Sequence, residues 1–442
     1  MDHSSAFRTR RLLNWFPLGL TYASLYMGRY NLTVAQGALG DLISKVAFGE
    51  IFALGAVVYG FAFLLNGPLT DRWGGRRAML MAAAGSAVAN IAMGLAVKSS
   101  LMGGMGKESL LATLTALYAL NMYFQSFGAV AIVKVNAHWF HVRERGKFSG
   151  IFGIMIASGI FLAFDLNERI LRALKGSGAG GIDPNWHVFL IPGFVLLAFF
   201  LFELFFLKNT PSEAGHADFD TGDASSGEDA APVPAFQLMK RILTHPVILT
   251  VALVEFCTGV LRNGVMHWFR IYAKEMMQQG SGNAAAWDFA LANWGLILFI
   301  AGVIGGVSAG YVSDLFFQSR RAPAAFFLYA LLTVCCGVMA FSLQSAWLLV
   351  FLVFLISVAV IGTHGLLSGT ATMDFGGRKG AATAVGIIDG FVYLGTGLQS
   401  YALGWITTKN WAWWPLFLIP FGLIGTLLLT RIWHAKPGRA AH

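Results

Sequence analysis

Charged residues are scarce in this sequence. Only 12% of its 442 residues are Asp, Glu, Lys or Arg, whereas a soluble domain usually has roughly 25%. Because so few charges cannot cover a water-facing surface, the composition excludes a soluble enzyme. Apolar residues make up 56% of the chain, and they form continuous runs without the alternation typical of an outer-membrane barrel. We therefore expect a polytopic protein of the lipid bilayer.

Groups of residues that carry catalysis or bind metals are also lacking. The three cysteines, Cys257, Cys335 and Cys336, lie inside apolar runs, so we expect neither a disulfide framework nor a metal site. Histidine and acidic residues are scattered, with no nucleophile and no cofactor motif, which argues against an intramembrane enzyme. A signal peptide is not expected either, because the first apolar run is full length and no small-residue cleavage site follows it.

Twelve apolar runs are present, each near the ~20 residues that a membrane-spanning helix needs. They lie at about 12–36, 49–70, 78–98, 110–137, 148–168, 187–207, 247–272, 286–311, 323–343, 345–373, 380–405 and 412–432. A polar stretch at 208–246 divides them six and six, and its acidic, Gly- and Ser-rich composition predicts a disordered linker. The sequence thus predicts an all-α membrane protein with six-helix bundles at 1–207 and 247–442.

The distribution of Lys and Arg predicts the orientation. If both termini lie on the same side of the membrane, the segments on that side contain nineteen of the 31 Lys and Arg residues, and the segments on the opposite side contain eight. The remaining four, Arg29, Lys134, Arg262 and Arg270, fall in or near the membrane. Basic loops mark the cytoplasm, so we expect both termini and the linker to be cytoplasmic in the inner (plasma) membrane. The net charge of +9 is then explained without a nucleic-acid partner.

Three features recur in the second half at nearly one spacing. Arg29 in the first run and Arg262 in the seventh are 233 residues apart. The pair Arg145-Gly146 before the fifth run and the pair Lys379-Gly380 before the eleventh are 234 apart. Asp71 and Asp314, in the loops after the second and eighth runs, are 243 apart. Such repetition predicts two pseudo-symmetric halves, a design common among transporters.

The loop after the second run carries a specific motif. It reads GPLTDRWGGRR from Gly67 and contains Asp71, Arg72, Arg76 and Arg77. In a chain of twelve spans it resembles the signature loop of the major facilitator superfamily, which implies that fold and a transporter. We expect these residues and Asp314 to form a cytoplasmic gate whose ion pairs break as the halves rock.

Several stretches further resemble the organophosphate:phosphate antiporters, which exchange glycerol 3-phosphate or hexose phosphate for phosphate. They are YASLYMGRYN at 22–31, LRNG at 261–264 with Trp268 and Tyr272, HWF at 138–140, ERG at 144–146, and 379–386 with Tyr393. Two departures stand out, since the resemblance implies a Lys near Phe63 and, in one branch, a His near Ile156. Conversely, Asp389 stands where those relatives have a small residue.

Arg29 and Arg262 are the main binding candidates. A guanidinium deep in hydrocarbon costs at least ~2.5–3.5 kcal/mol, so it must face a watery cavity or a partner. Its paired donors fit phosphate or carboxylate oxygens, and both arginines should lie at similar depth. The alternative is that each arginine pairs with a buried acid, Glu255 or Asp389.

Other polar residues in the spans are weaker candidates for the cavity. Tyr22 and Tyr26 lie on one helical stripe with Arg29, where they would either bind substrate or pack helices together. Lys134 is expected to reach towards the cytoplasm. The remaining candidates are Gln125, Tyr393, His267 and His364, of which the two histidines can equally be core residues.

The sequence therefore predicts a secondary transporter for a small organic anion, a phosphate ester exchanged for phosphate by alternating access. The alternative is a proton-coupled carrier of a carboxylate or other anion. Asp389 and Glu255 are the candidates for coupling, either as proton carriers or as permanent ion-pair partners of arginine. A membrane sensor that binds ligand without moving it is a third possibility. We expect a monomer without cofactor or metal.

Overall fold

The structure is a computed structural model. It describes residues 3–40, 42–141, 154–155, 157–176, 183–221, 240, 244–280, 283–318 and 320–435, without the side chains of 369–385. Three predicted features lie outside the described residues: the motif at 144–146, the position of Ile156, and residues 222–239 of the linker. The side chain of Lys379 also lies outside them.

Helices form at the apolar runs and in short segments next to them. In the first half they are α1 (Ser5–Ala38), α2 (Lys45–Trp73), α3 (Gly75–Leu101), α4 (Lys107–Trp139), α5 (Asn167–Gly176) and α6 (His187–Phe206). A π-helical turn, Leu162–Leu166, leads directly into α5. Serine side chains cap α1 and α2, because Ser4 accepts from the Phe7 amide and Ser44 from the Ala47 amide.

The second half repeats the pattern. Its helices are α7 (Pro246–Met266), α8 (Trp268–Gln278), α9 (Ala284–Ala292), α10 (Trp294–Phe317), α11 (Arg321–Ser342), α12 (Ala346–His364), α13 (Thr372–Lys409) and α14 (Trp413–Arg431). His267 stands at the junction of α7 and α8, and a second π-helical turn, Gly365–Ala371, joins α12 to α13. The described part of the chain contains no strand.

Helices account for the described residues of the twelve predicted spans. Nine segments of the described residues are long and apolar enough to cross a membrane. The other three predicted spans, at 12–36, 148–168 and 380–405, coincide with α1, with the helical residues around the Leu162–Leu166 turn, and with α13. The prediction of an all-α membrane protein is confirmed.

Two equivalent helix contacts join the N-terminal and C-terminal helices. Along α2 and α13 the backbones approach closely at glycines: a Cβ added to Gly49 would lie 2.5 Å from the Ser400 carbonyl oxygen, and one added to Gly60 would lie 3.0 Å from that of Gly390. The second contact places the π-helical turn before α5 against α10. Side chains that α1 and α7 direct inward therefore meet between the two sets of helices.

Candidate functional site

Arg29 lies at the centre of this interface and is fully buried. Its Nε donates to Gln125 Oε1 at 2.7 Å, its Nη1 to the Tyr393 hydroxyl at 2.5 Å, and its Nη2 to the Tyr59 hydroxyl at 3.1 Å. The three acceptors come from α4, α13 and α2, so helices of both halves hold one guanidinium. The predicted candidates Gln125 and Tyr393 are thus brought to Arg29.

Aromatic rings surround the same guanidinium. Arg29 Cζ is 4.7 Å from the ring centroids of Tyr26 and Tyr59 and 5.8 Å from that of Tyr393. Desolvated cation–π contacts of this kind are worth about 2 kcal/mol each, so the rings offset part of the cost of burial. Among the described side chains, no carboxylate forms an ion pair with either candidate arginine. The alternative of a direct Glu255 or Asp389 partner is not found there.

Arg262 reaches the same group of tyrosines from α7. It interacts electrostatically with Tyr26, Tyr30 and Tyr393, which also act on Arg29. Arg262 is half-buried, and its Nε has no hydrogen-bond partner within the described part of the chain. Both arginines therefore act on the same tyrosines, and Arg262 retains a donor without a partner in the described structure. That the two arginines bind one anion stays a prediction.

The tyrosine stripe of α1 is continuous. Tyr22 packs edge-on against Tyr26 at 5.5 Å, and Tyr26 packs against Tyr30 at the same distance. Phe63, where the resemblance implied a lysine, lies 4.7 Å from the Tyr59 ring and 6.1 Å from the Tyr393 ring. The departure from the resembled family thus falls inside the arginine site, where an apolar ring stands beside the tyrosines.

A chain of buried amides supports Arg29 from behind. Asn31 donates to Asn90 at 2.7 Å, while Asn90 and Gln125 both donate to Asn121 Oδ1 at 3.1 Å. Asn121 in turn donates to the Gly28 carbonyl at 3.0 Å, next to Arg29. Sequence reasoning missed the three asparagines and Tyr59, although polar residues inside apolar spans are expected to face the bundle interior. Their isolation within spans was the signal.

The two candidate histidines have separate environments. His267 Nδ1 is 2.7 Å from Thr33 Oγ1, and its ring lies 4.5 Å from Phe52 and 4.9 Å from Tyr30. Its Nε2 is buried and has no partner among the described residues. His364 instead bonds Glu255, one of the coupling candidates.

The coupling candidates Glu255 and Asp389 lie in the C-terminal half. Glu255 is fully buried, with Oε2 2.9 Å from His364 Nδ1, and its Oε1 has no partner in the described structure. Asp389 accepts a hydrogen bond from Ser368. Glu255 interacts electrostatically with both Asp389 and Arg262. Nowhere in the described residues do three His, Cys, Asp or Glu side chains form a group that could hold a metal ion.

The predicted gate residues pair within their own halves. Asp71 accepts from Lys134 at 2.8 Å, and Asp314 accepts from Arg321 at 2.8 Å. Arg76 donates through its backbone amide to Asn209 at 2.8 Å and through its side chain to the Leu204 carbonyl at 2.6 Å. Arg72 and Arg77 are exposed. Their role as a gate stays a prediction.

We call the end of the bundle away from the termini the distal end. Ion pairs that cross between the halves lie there. Lys45 of α2 bonds Glu275 of α8 at 2.9 Å, and Arg270 of α8 pairs with Glu168 of α5. Asp165 accepts from the amides of Gly295 and Leu296, at 2.6 and 2.9 Å, and so caps α10 from the opposite half. Sequence reasoning missed these contacts.

Comparisons with known proteins agree with this architecture. The family model described as Major Facilitator Superfamily matches residues 18–400. A bacterial homolog of the human lysosomal transporter Spinster, solved in an inward-facing and unoccupied conformation, superposes with a TM-score of 0.68. It covers 99% of this chain and 100% of that chain at 14% identity.

Curated relatives have similar length. The glycerol-3-phosphate transporter of Bacillus subtilis is 24% identical over 99% of this chain and 95% of its own. The membrane sensor protein UhpC of Salmonella typhimurium is 22% identical over 96% of this chain and 91% of its own. A probable hexose phosphate transport protein of Chlamydia trachomatis is 23% identical over 96% of this chain and 91% of its own.

The helical bundle and its central cationic site define a polytopic membrane transporter rather than an enzyme. The chain belongs to the major facilitator superfamily. The resemblance to the organophosphate:phosphate antiporters is confirmed by the relatives, two of which are named as transporters of phosphate esters.

Proposed function

We propose that this chain carries a phosphate ester across the membrane in exchange for inorganic phosphate, and that Arg29 and Arg262 bind the phosphoryl group. One observation carries the proposal. Arg29 is held by neutral acceptors from both halves, Arg262 of the equivalent helix keeps a donor without a partner in the described structure, and neither forms an ion pair with a described carboxylate.

The electrostatics of the site favour an anion. Arg29 is buried, and its three hydrogen bonds go to the neutral oxygens of Gln125, Tyr393 and Tyr59. A phosphoryl group offers several charged acceptors, and bidentate bonds from arginine to such oxygens are about twice as strong as neutral ones. The buried Nε of Arg262, which has no partner among the described residues, provides a donor for an anion that enters the site.

The surroundings of the arginines suit an ester more than a bare ion. Tyr22, Tyr26 and Tyr30 present apolar rings with hydroxyl tips along α1, and Phe63 adds a purely apolar ring beside Tyr59. Such a wall can contact the organic part of a substrate while the guanidiniums bind its phosphate. His267 extends this wall from α7.

Alternating access is consistent with the position of Arg29, which donates hydrogen bonds to helices of both halves. The halves 1–207 and 247–442, joined by the linker 208–246, would rock about this site with both termini in the cytoplasm of the plasma membrane. The distal ion pairs would hold one side closed. The loop around Asp71, with its counterpart at Asp314, would gate the other side.

A direct test is exchange in liposomes. Purified protein is placed in vesicles loaded with unlabelled phosphate, and entry of radiolabelled phosphate is followed at equal pH on both sides. We expect entry that glycerol 3-phosphate and hexose phosphates inhibit in competition. Binding of phosphate without any flux would instead identify a sensor and overturn the proposal.

A second candidate function is a proton-coupled carrier of a carboxylate or other organic anion. The buried Glu255–His364 pair favours it, because phosphate exchange alone does not require such a pair. Inhibition by dicarboxylates, with no effect of phosphate esters, would select this candidate in the same vesicles.

A further inference from the structure

The C-terminal half contains an acid–base cluster that anion exchange leaves unexplained. Glu255 on α7 has no exposed surface and bonds His364, the last residue of α12. Its second oxygen, Oε1, is buried without a partner in the described structure. A buried acceptor left unpaired costs about 1–3 kcal/mol, so this oxygen marks a place where a proton can be bound.

Among the described residues, the titratable groups that act on Glu255 include His364 from α12, Asp389 from α13, Arg262 two turns along the same helix, and the Tyr329 hydroxyl from α11. Two further neighbours of α7, the π-helical turn Gly365–Ala371 and α14, contribute no charged residue other than Arg431 at the end of α14. The pair is therefore electrostatically connected to one of the two anion-binding arginines, although no ion pair joins them directly.

Two positive charges, those of Arg29 and Arg262, stand against two acidic side chains, those of Glu255 and Asp389. If both acids are ionised in the empty site, their charges cancel those of the arginines. A carrier whose empty site has two uncompensated cations cannot easily reorient through a low-dielectric membrane, which enforces exchange. With both acids ionised the empty site is neutral, and this barrier to its return is absent.

We propose that the Glu255–His364 pair, together with Asp389, is a proton-binding site that couples anion transport to proton movement. The chain would then accumulate its anion from a pH gradient as well as exchange it. This inference rests on the proposed function, since it requires an anion at the arginines.

Binding of the anion controls the proton. A phosphate dianion at Arg262 weakens the attraction of that arginine for the Glu255 carboxylate and adds negative charge nearby, so the pair takes up a proton from water. The loaded site then moves with less net charge. When the anion leaves on the other side, Arg262 again favours the ionised carboxylate and the proton is released there.

The test uses the full-length protein in liposomes that contain no phosphate. Radiolabelled inorganic phosphate is added outside at acidic pH, with neutral pH inside. We expect the wild-type protein to accumulate label, and a protonophore to abolish the accumulation. Glu255→Gln and Asp389→Asn should lose gradient-driven accumulation to a much greater extent than they lose phosphate exchange at equal pH.

Glu203→Gln is the matched control. Glu203 is also buried, but it bonds only Thr21 among the described residues and lies in the N-terminal half, so its variant should still accumulate phosphate. If wild-type protein exchanges phosphate but never accumulates it, or if Glu255→Gln accumulates it as the wild type does, the proton site is wrong. If wild-type protein shows no exchange at equal pH, the proposed function itself fails.

Discussion

Replacement of Arg29 by lysine keeps the positive charge and removes the planar guanidinium. Three different nitrogens of Arg29 donate towards α4, α13 and α2. The single ammonium of lysine cannot reach acceptors on three helices at these distances and also present paired donors to a phosphoryl group. We therefore expect Arg29→Lys to be strongly impaired in transport while its amount in the membrane stays normal.

The size of the effect follows from one lost bond. A hydrogen bond to a charged group contributes about 1.5–3 kcal/mol. Loss of one such bond to the phosphoryl group lowers phosphate affinity roughly 10- to 150-fold. Further loss is expected because the ring contacts with Tyr26 and Tyr59, at 4.7 Å, are adapted to a flat cation.

The assay is the initial rate of phosphate exchange in liposomes at subsaturating phosphate. Arg431→Lys, at the exposed C-terminus of α14, makes the same chemical change outside the site and should behave as the wild type. An Arg29→Lys protein that exchanges phosphate near the wild-type rate would show that the guanidinium is structural, and the two-arginine site would be abandoned.

Other perturbations test the distal contacts and the topology. Lys45→Gln breaks the pair with Glu275, whose side chains are 17% and 30% accessible. Because exposed ion pairs contribute little, we expect the distally open state to gain about 1 kcal/mol, which distances between spin labels at the distal end would detect. An unchanged distance distribution would argue that this pair does not hold the distal end closed. Gly49→Ala should separate α2 from α13 and lower thermal stability, since its Cβ would lie 2.5 Å from a carbonyl oxygen. Gly310→Ala should leave thermal stability unchanged, because no atom lies within 4 Å of the added Cβ. A cysteine at Ser225, in a parent without native cysteines, should resist an impermeant thiol reagent in intact cells; rapid labelling would reverse the orientation.

Local sequence was sufficient to predict the helices. Apolar runs of spanning length lead to helices because a bilayer leaves no other way to satisfy backbone hydrogen bonds within one segment. The spacing of Arg29 and Arg262 reflects the repeat of a whole half, so their equivalent positions in α1 and α7 could be predicted without any knowledge of packing.

The partners of these residues could not be predicted in the same way. Tyr59 and Tyr393 are 30 and 364 residues from Arg29, and helical periodicity says which face is apolar but not which helix it meets. For the same reason His364 was grouped with the binding candidates, whereas packing of α12 against α7 pairs it with Glu255.

Sequence by itself determined that this is an all-α membrane protein, and it predicted twelve spans in two repeated halves with an arginine in each equivalent span. Only the tertiary structure decided that Arg29 is held by neutral oxygens from α4, α13 and α2 and that Glu255 forms a buried acid–base pair with His364. It also decided that Asp165 and Lys45 tie the halves together at the distal end. The physical reason is that the apolar composition of each segment is enough to make it a membrane-spanning helix, whereas the partners of buried polar and charged groups depend on how the helices pack.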